Sequence, residues 1–174
     1  MIHQMVQSID LKKLKVEKFE EKYAKDILNI YFESYRKIYR CRYSEDVIKI
    51  EKSIYGESYS YLNEENLLNS IKKGLNILVC LYNNKIIAFV SFWFWDKKTV
   101  YIDEFHVKKD YRGLGIGSWF LRKLEEILRS KGVRKIILDS YIKSVEFFHK
   151  QGYRPTGKRF GEYVRLKKLI DFTT

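Results

Sequence analysis

Asp110-Tyr-Arg-Gly-Leu-Gly-Ile-Gly-Ser118 sets three glycines within five residues, between a strand-like run, TVYIDEFHV (99–107), and a helix-like run opening near Ile116. Glycines at 113, 115 and 117 remove the Cβ atoms that keep a ligand away from the backbone. The helix they feed starts with N–H groups that have no internal partner, so strand, loop and helix together make an anion site suited to a phosphate or pyrophosphate. Arg112 adds a permanent charge and a planar donor fork. Two familiar phosphate loops do not fit. A Walker A loop needs Gly-Lys-Ser/Thr at its end, whereas Gly117 is followed by Ser118-Trp119. A dinucleotide loop needs G-x-G-x-x-G, whereas 113–118 reads GLGIGS. The alternative is a tight loop that only lets a helix pack on a sheet, and the glycines alone do not decide between the two.

Working outward, LNILVCLY (75–82) and KIIAFVSFWFW (85–95) read as two strands joined by a tight turn at Asn83-Asn84, where asparagine tolerates positive φ. Apolar residues recur at 116, 120, 121, 124, 127 and 128 up to Lys131-Gly132, a helix with a glycine stop. RKIILDS (134–140) reads as a buried strand, SVEFFHKQGY (144–153) as a short helix ending at Gly152, and GEYVRLKKL (161–169) as a last strand. Before Gly74, LKVEKF (14–19) reads as a short strand. Tyr23, Ile27, Ile30, Tyr31, Ser34 and Ile38 place a helix over 20–39, and Asn63 caps a helix over 64–73. Residues 40–63 read as helix fragments and loop. The class is α+β, or mixed α/β, in a single domain over 1–174.

With these neighbours on both sides, Arg112-x-x-Gly115-x-Gly117 resembles the pyrophosphate-binding signature of the GNAT superfamily of acetyl-CoA-dependent N-acetyltransferases. The likeness covers roughly residues 75–155, where SVEFFHKQGY is similar to the family's A-x-x-F-Y-x-x-x-G-F helix. It implies a GNAT-like fold: a central, mostly antiparallel, twisted sheet flanked by helices. Residues 1–74 would then supply acceptor-side helices and 75–174 the acetyl-CoA-binding core. The backbone of Arg112, Gly113, Leu114, Gly115, Ile116, Gly117 and Ser118 is expected to hold the pyrophosphate, with Lys108, Lys109, Arg122 and Lys123 around it. Phe105, His106 and Val107 are expected to pair with the pantetheine arm. A lone histidine on a strand is more often packing than chemistry, so His106 enters for its backbone. A more local likeness, SFWFWDKKTVYIDEFHVKKDYRGLGIG (91–117), is to diamine and thialysine acetyltransferases, with Trp93, Trp95 and Asp96 as acceptor-side candidates.

Acyl transfer needs a neutral amine, and a lysine-type amine with pKa ~10.4 is mostly protonated at neutral pH. A carboxylate can take the proton directly or through water. The implied catalytic residues are Asp103 and Glu104. Adjacent strand residues face opposite sides, so only one should enter the cleft. Asp103 shares parity with Phe105 and Val107, which makes it the expected relay and Glu104 the acceptor-side partner; a bulge would exchange them. Where many family members place a tyrosine to protonate the departing thiolate, this chain has Phe148, and neither Tyr141, Tyr153 nor His149 stands at the matching position.

Composition bounds the rest. The 174 residues carry 34 Lys+Arg against 22 Asp+Glu, a formal net charge of +12, and residues 108–174 hold 17 basic against 7 acidic groups. An anionic partner is implied, a phosphate-bearing small molecule or nucleic acid. The basic residues alternate with core positions and form no long run or reading motif, which disfavours nucleic acid. A net charge of +12 also repels polycationic acceptors at long range. No apolar run reaches the ~18 residues of a membrane span. The stretch MIHQMVQSIDLKKLKVEKFEEK lacks a signal-peptide core, so a cytoplasmic location is expected. Cys41 and Cys80 are too far apart for a CxxC site, and sparse His and Cys imply no metal. The leading expectation is a metal-free N-acetyltransferase using acetyl-CoA and a small-molecule or peptide amine (polyamine, lysine or peptide type), with a homodimer left open. Its rivals are a non-catalytic acetyl-CoA-binding module and a basic nucleic-acid-binding protein.

Overall fold

Six runs after Gly74 and one short run before it build one sheet. The computed structural model describes residues 8–170; the first seven residues of the N-terminal stretch read for a signal-peptide core, and residues 171–174, lie outside the described residues. The strands are β1 (Lys15–Lys18), β2 (Asn76–Tyr82), β3 (Lys85–Asp96), β4 (Thr99–Val107), β5 (Lys135–Tyr141), β6 (Arg154–Phe160) and β7 (Tyr163–Leu169). Their order is β1-β2-β3-β4-β5-β7-β6, and every pairing is antiparallel except β4 with β5. Asn83 and Asn84 close the β2–β3 hairpin at φ 49° and 60°, the left-handed pair that a two-residue turn of this hand demands.

Helices cover both faces. On one, α4 (Ile116–Ser130) and α5 (Val145–Lys150) pack Phe120, Leu121, Leu124 and Phe148 against Val100, Ile102, Ile136 and Leu138. On the other, α1 (Ala24–Tyr39), α2 (Ser44–Tyr55) and α3 (Glu64–Lys72) pack Ile27, Tyr31, Val47 and Leu67 against Val79 and Phe89. The Asn63 side chain accepts the Asn66 N–H at 2.9 Å and fixes the start of α3. Among the described residues no helix is long and apolar enough to cross a membrane.

Two local expectations are corrected. Residues 44–55 form one continuous helix where fragments were expected; its buried face is carried by only Val47 and Glu51, too thin a stripe to stand out. Strand β6 was not anticipated, because all seven of its residues are exposed and it contains Pro155, which leaves no apolar period to read. It is an edge strand with β7 as its one neighbour, a place where proline is tolerated.

Two irregularities position the cleft. β4 and β5 pair from Thr99↔Lys135 only as far as Ile102↔Leu138. Beyond that point β4 stays with β3 and β5 stays with β7, so the sheet splits into a notch. At the root of the notch β3 and β4 shift register: Phe92 faces Ile102 but Ser91 faces Glu104, leaving Asp103 as the extra residue of a β-bulge.

Candidate active site

The notch opens into a cavity of about 750 Å³. Its walls take residues 102–107 of β4, Leu138–Tyr141 of β5, Tyr35 and Ile38 of α1, and Tyr55 and Tyr59 at and after the end of α2. Asp103 and Glu104 both line it. The strand-parity expectation fails here. Because the bulge absorbs one residue, Asp103 and Glu104 both turn to the face of α1 to α3, and Phe105 returns to the opposite face, its ring 5.8 Å from Phe120 and 6.0 Å from Phe148.

Each carboxylate has its own set of donors. Tyr61 donates its hydroxyl to Asp103 Oδ2 at 3.0 Å and also bonds Ser91 Oγ. Tyr35 donates to Glu104 Oε1 at 3.0 Å, and His106 Nε2 bonds Glu104 Oε2. Ser91 Oγ accepts the Glu104 backbone N–H at 3.2 Å. Burial, and then the charge of Glu104, push the Asp103 carboxyl up to about 7, against the opposing pull of hydrogen bonds from the Tyr61 and Trp93 side chains. Burial also drives the phenols of Tyr35, Tyr59 and Tyr61 well above their ordinary value, so they remain protonated donors. Behind this wall Glu51 is almost wholly buried; it accepts the Tyr39 hydroxyl at 2.7 Å, and burial raises its proton affinity. His106 is more than a backbone contact, since its ring packs against Tyr35 and Phe89 as well as bonding Glu104.

The glycine loop lies just outside the cavity, beyond Arg112. Gly113 (φ 74°) and Gly115 (φ 81°) have left-handed backbones, and a Cβ at either would meet nothing within 4 Å, so space is open above them. Among the described residues, no acceptor is found for the N–H groups of residues 113–118. Gly117 differs: a Cβ there would sit 3.3 Å from the Phe147 ring, so its small size lets α5 pack on α4. The Arg112 guanidinium is tied to protein, donating to Val107 O at 2.7 Å and Ser34 Oγ at 3.1 Å. It thereby pins α1 to the end of β4. Of the lysines expected around the loop, Lys123 is paired with Glu126 at 2.8 Å.

At the far end Phe148 is buried and lines the cavity. Tyr153 turns into the core and donates to Glu125 at 3.1 Å, while Tyr141 lines the cavity. Of the three acceptor-side residues expected from β3, Trp93 stands at the site: it packs against the α1–α3 core and its side chain bonds Asp103. Trp95 stacks on Tyr101 at 5.0 Å, and Asp96 accepts the Lys98 N–H of the β3–β4 turn, so neither joins the carboxylates. Tyr35, Tyr61, Ser91 and Glu51 were missed, because nothing in the linear sequence ties α1, α2 or β3 to two carboxylates on β4.

A split β4–β5 pair, a bulge at its root and a glycine loop opening α4 accompany a match of residues 26–153 to the profile of the acetyltransferase (GNAT) family. The chain belongs to the GNAT acetyltransferases. Glucosamine 6-phosphate N-acetyltransferase of Trypanosoma brucei brucei is 46% identical over 54 residues, 31% of this chain and 37% of that one. Thialysine N-epsilon-acetyltransferase of Sus scrofa is 35% identical over 63 residues, 34% of this chain and 37% of that one. The matches thus span well under half the length of these GNAT relatives. The PaiA N-acetyltransferase of Thermoplasma acidophilum, solved in complex with coenzyme A, shares the fold: TM-score 0.74, 19% identity, 90% of this chain and 98% of that one covered.

Proposed function

We propose that this GNAT chain transfers the acetyl group of acetyl-CoA directly to a primary amine, with Asp103 taking the amine proton. The observation that carries the reading is the bulge, which puts two carboxylates side by side on one wall of a notch whose other end runs to an unsatisfied glycine loop. The loop fits the co-substrate: six N–H groups without acceptors, and open space above Gly113 and Gly115, suit a pyrophosphate. Arg112, Gly113, Leu114, Gly115, Ile116, Gly117 and Ser118 would hold that end. Phe105, His106 and Val107, on the edge of β4 that β5 leaves open, would pair with the amide-bearing arm. Acetyl-CoA supplies the activated acyl group as a thioester.

The remaining chemistry belongs to the chain. A carboxyl pushed up to about 7 is half ionised at neutral pH, which is where a general base is most effective. Glu104, held by Tyr35 and His106, stands beside Asp103 as a second acceptor that can orient the entering amine towards the base. The relatives' names, an amino-sugar phosphate and a thialysine acetyltransferase, support a small amine as acceptor. One observation favours the rival reading of a binding module: Phe148 cannot donate a proton to a departing thiolate. A thiol of pKa ~8.5 leaves without a dedicated acid at modest cost, so turnover remains the stronger reading. The test is a screen of amine acceptors that detects free coenzyme A thiol. Release that depends on the amine and collapses in Asp103→Asn supports transfer; acetyl-CoA binding with no release from any amine establishes the module instead.

A further inference from the structure

The wall that carries Asp103 and Glu104 faces a pair of cations that the proposed chemistry does not use. Lys37 and Arg40, from the last turn and C-cap of α1, line the same cavity and are both exposed. Neither forms an ion pair or side-chain hydrogen bond among the described residues. Of the other basic side chains near the cleft, Arg112 is taken by Val107 and Ser34, and Arg165 by both oxygens of Asp139 at 2.8 Å; Lys143, also exposed, lines the cavity from the segment after β5 rather than from α1. Asp139 is the remaining carboxylate on the cavity wall, so Lys37 and Arg40 face no free acid.

Their placement is fixed. Tyr35 is anchored to Glu104 and Tyr39 to Glu51, which locks the inner face of this turn against the carboxylates. Arg40 closes the helix at φ 56°, ψ 34°, a left-handed position that usually goes to glycine or asparagine. Glycine there would remove the strain but also the guanidinium. Along the helix axis Tyr35 and Arg40 are ~7.5 Å apart at 1.5 Å per residue. The cleft thus has acids on its floor and, about one and a half turns of α1 away, two unmatched cations at its mouth.

We infer that Lys37 and Arg40 form a subsite for an anionic group on the acceptor, so that the preferred substrate is an amine carrying its own carboxylate or phosphate several bonds from the nitrogen. This rests on the acetyl-transfer reading and narrows its acceptor. It runs against a polyamine: a second ammonium at the mouth would meet two positive charges, whereas an anion there meets complementary donors while the first ammonium reaches Asp103 and Glu104.

The test uses four six-carbon amines that differ only in the far end: 6-aminohexanoate, 6-aminohexyl phosphate, 6-amino-1-hexanol and 1,6-diaminohexane. Turnover is read as free thiol, and binding in the presence of coenzyme A is read by calorimetry, so the inference is tested even without turnover. The carboxylate or the phosphate is expected to exceed the alcohol at least tenfold in kcat/KM or affinity, with the diamine weakest, and the better of the two names the anion. In Lys37→Gln/Arg40→Gln the ratio of anion to alcohol should fall towards one. Arg40→Gly should lower the same ratio while raising Tm, which separates lost recognition from lost folding. Three results overturn the inference: a diamine used or bound as well as the anions; a preference that survives in the double variant and therefore comes from Lys143 or the overall charge; or a double variant that loses coenzyme A affinity instead, which assigns the cations to the nucleotide. Anion preference absent while the alcohol is acetylated refutes this subsite and leaves acetyl transfer intact. Binding preference present with no thiol released from any amine refutes the transfer and keeps the subsite.

Discussion

Asp103→Asn separates a tuned base from a structural acid, because the two properties of this residue move in opposite directions. The carboxyl is pushed from 3.8 up to about 7, first by burial and then by Glu104. The folded chain therefore holds this proton more tightly than the unfolded one, and the group's contribution to stability falls as pH rises from about 4 to about 7. At 1.36 kcal/mol per pH unit the full difference corresponds to about 4 kcal/mol. Asp103 is partly open to the cleft, and water there screens part of it, so about 2 kcal/mol is expected. Asparagine removes the charge but keeps a polar partner for Tyr61. Urea unfolding should find Asp103→Asn more stable than the parent by about 2 kcal/mol at pH 8, with the gap closing towards pH 4.5. Thiol release should move the other way, down by about 10²–10⁴ at pH 7. The parent's rate should also climb through an inflection near pH 7 that the variant lacks. A variant that loses stability and activity together, or keeps the inflection, refutes the assignment and makes Asp103 a structural acid.

Gly115→Val should weaken acetyl-CoA binding at least tenfold by calorimetry; its φ of 81° disfavours valine by about 1–2 kcal/mol, and the new side chain occupies the open space above the loop. Glu125→Ala should destabilise the fold by about 3 kcal/mol in denaturant unfolding, since it strands Lys168, at 2.7 Å, and the buried Tyr153 hydroxyl, at 3.1 Å. His106→Leu leaves one Glu104 oxygen without its donor and should lower kcat about tenfold or more with little change in acetyl-CoA affinity; His106→Gln, which can still donate, should recover most of it.

What could be read from the sequence followed from local periodicity and turn chemistry. The Asn83-Asn84 turn, the Asn63 cap and the α4 stripe each announce themselves within a few residues, and each folds as its chemistry dictates. β6 escaped because an exposed edge strand needs no apolar face, and α2 because its inner surface includes a carboxylate, Glu51, which patterning scores as solvent-facing. The glycine loop was legible as a strand-to-helix turn that leaves backbone N–H groups free, yet its three glycines are not equivalent. Two hold left-handed backbone under open space, and Gly117 clears room for Phe147, a distinction that only the packing of α5 reveals.

Counting alternation along β4 fails at Asp103 for a reason that reaches the chemistry. A regular strand would send Asp103 to the face of Phe105, against α4 and α5, among Phe120, Phe147 and Phe148, where an ionised carboxyl finds no donor. The bulge turns it to the side of Tyr61, and Ser91 holds it there. The Ser91 hydroxyl accepts the Glu104 N–H and bonds Tyr61, which in turn donates to Asp103. One buried serine on β3 thus links the backbone of one carboxylate to the side chain of the other. The same chain of bonds keeps the two acids close enough for Glu104 to raise the proton affinity of Asp103. A straight strand could supply either acid to the notch, but not both. Placing one beside the other, so that the first tunes the second, requires the extra residue that the pairing of β3 with β4 leaves over.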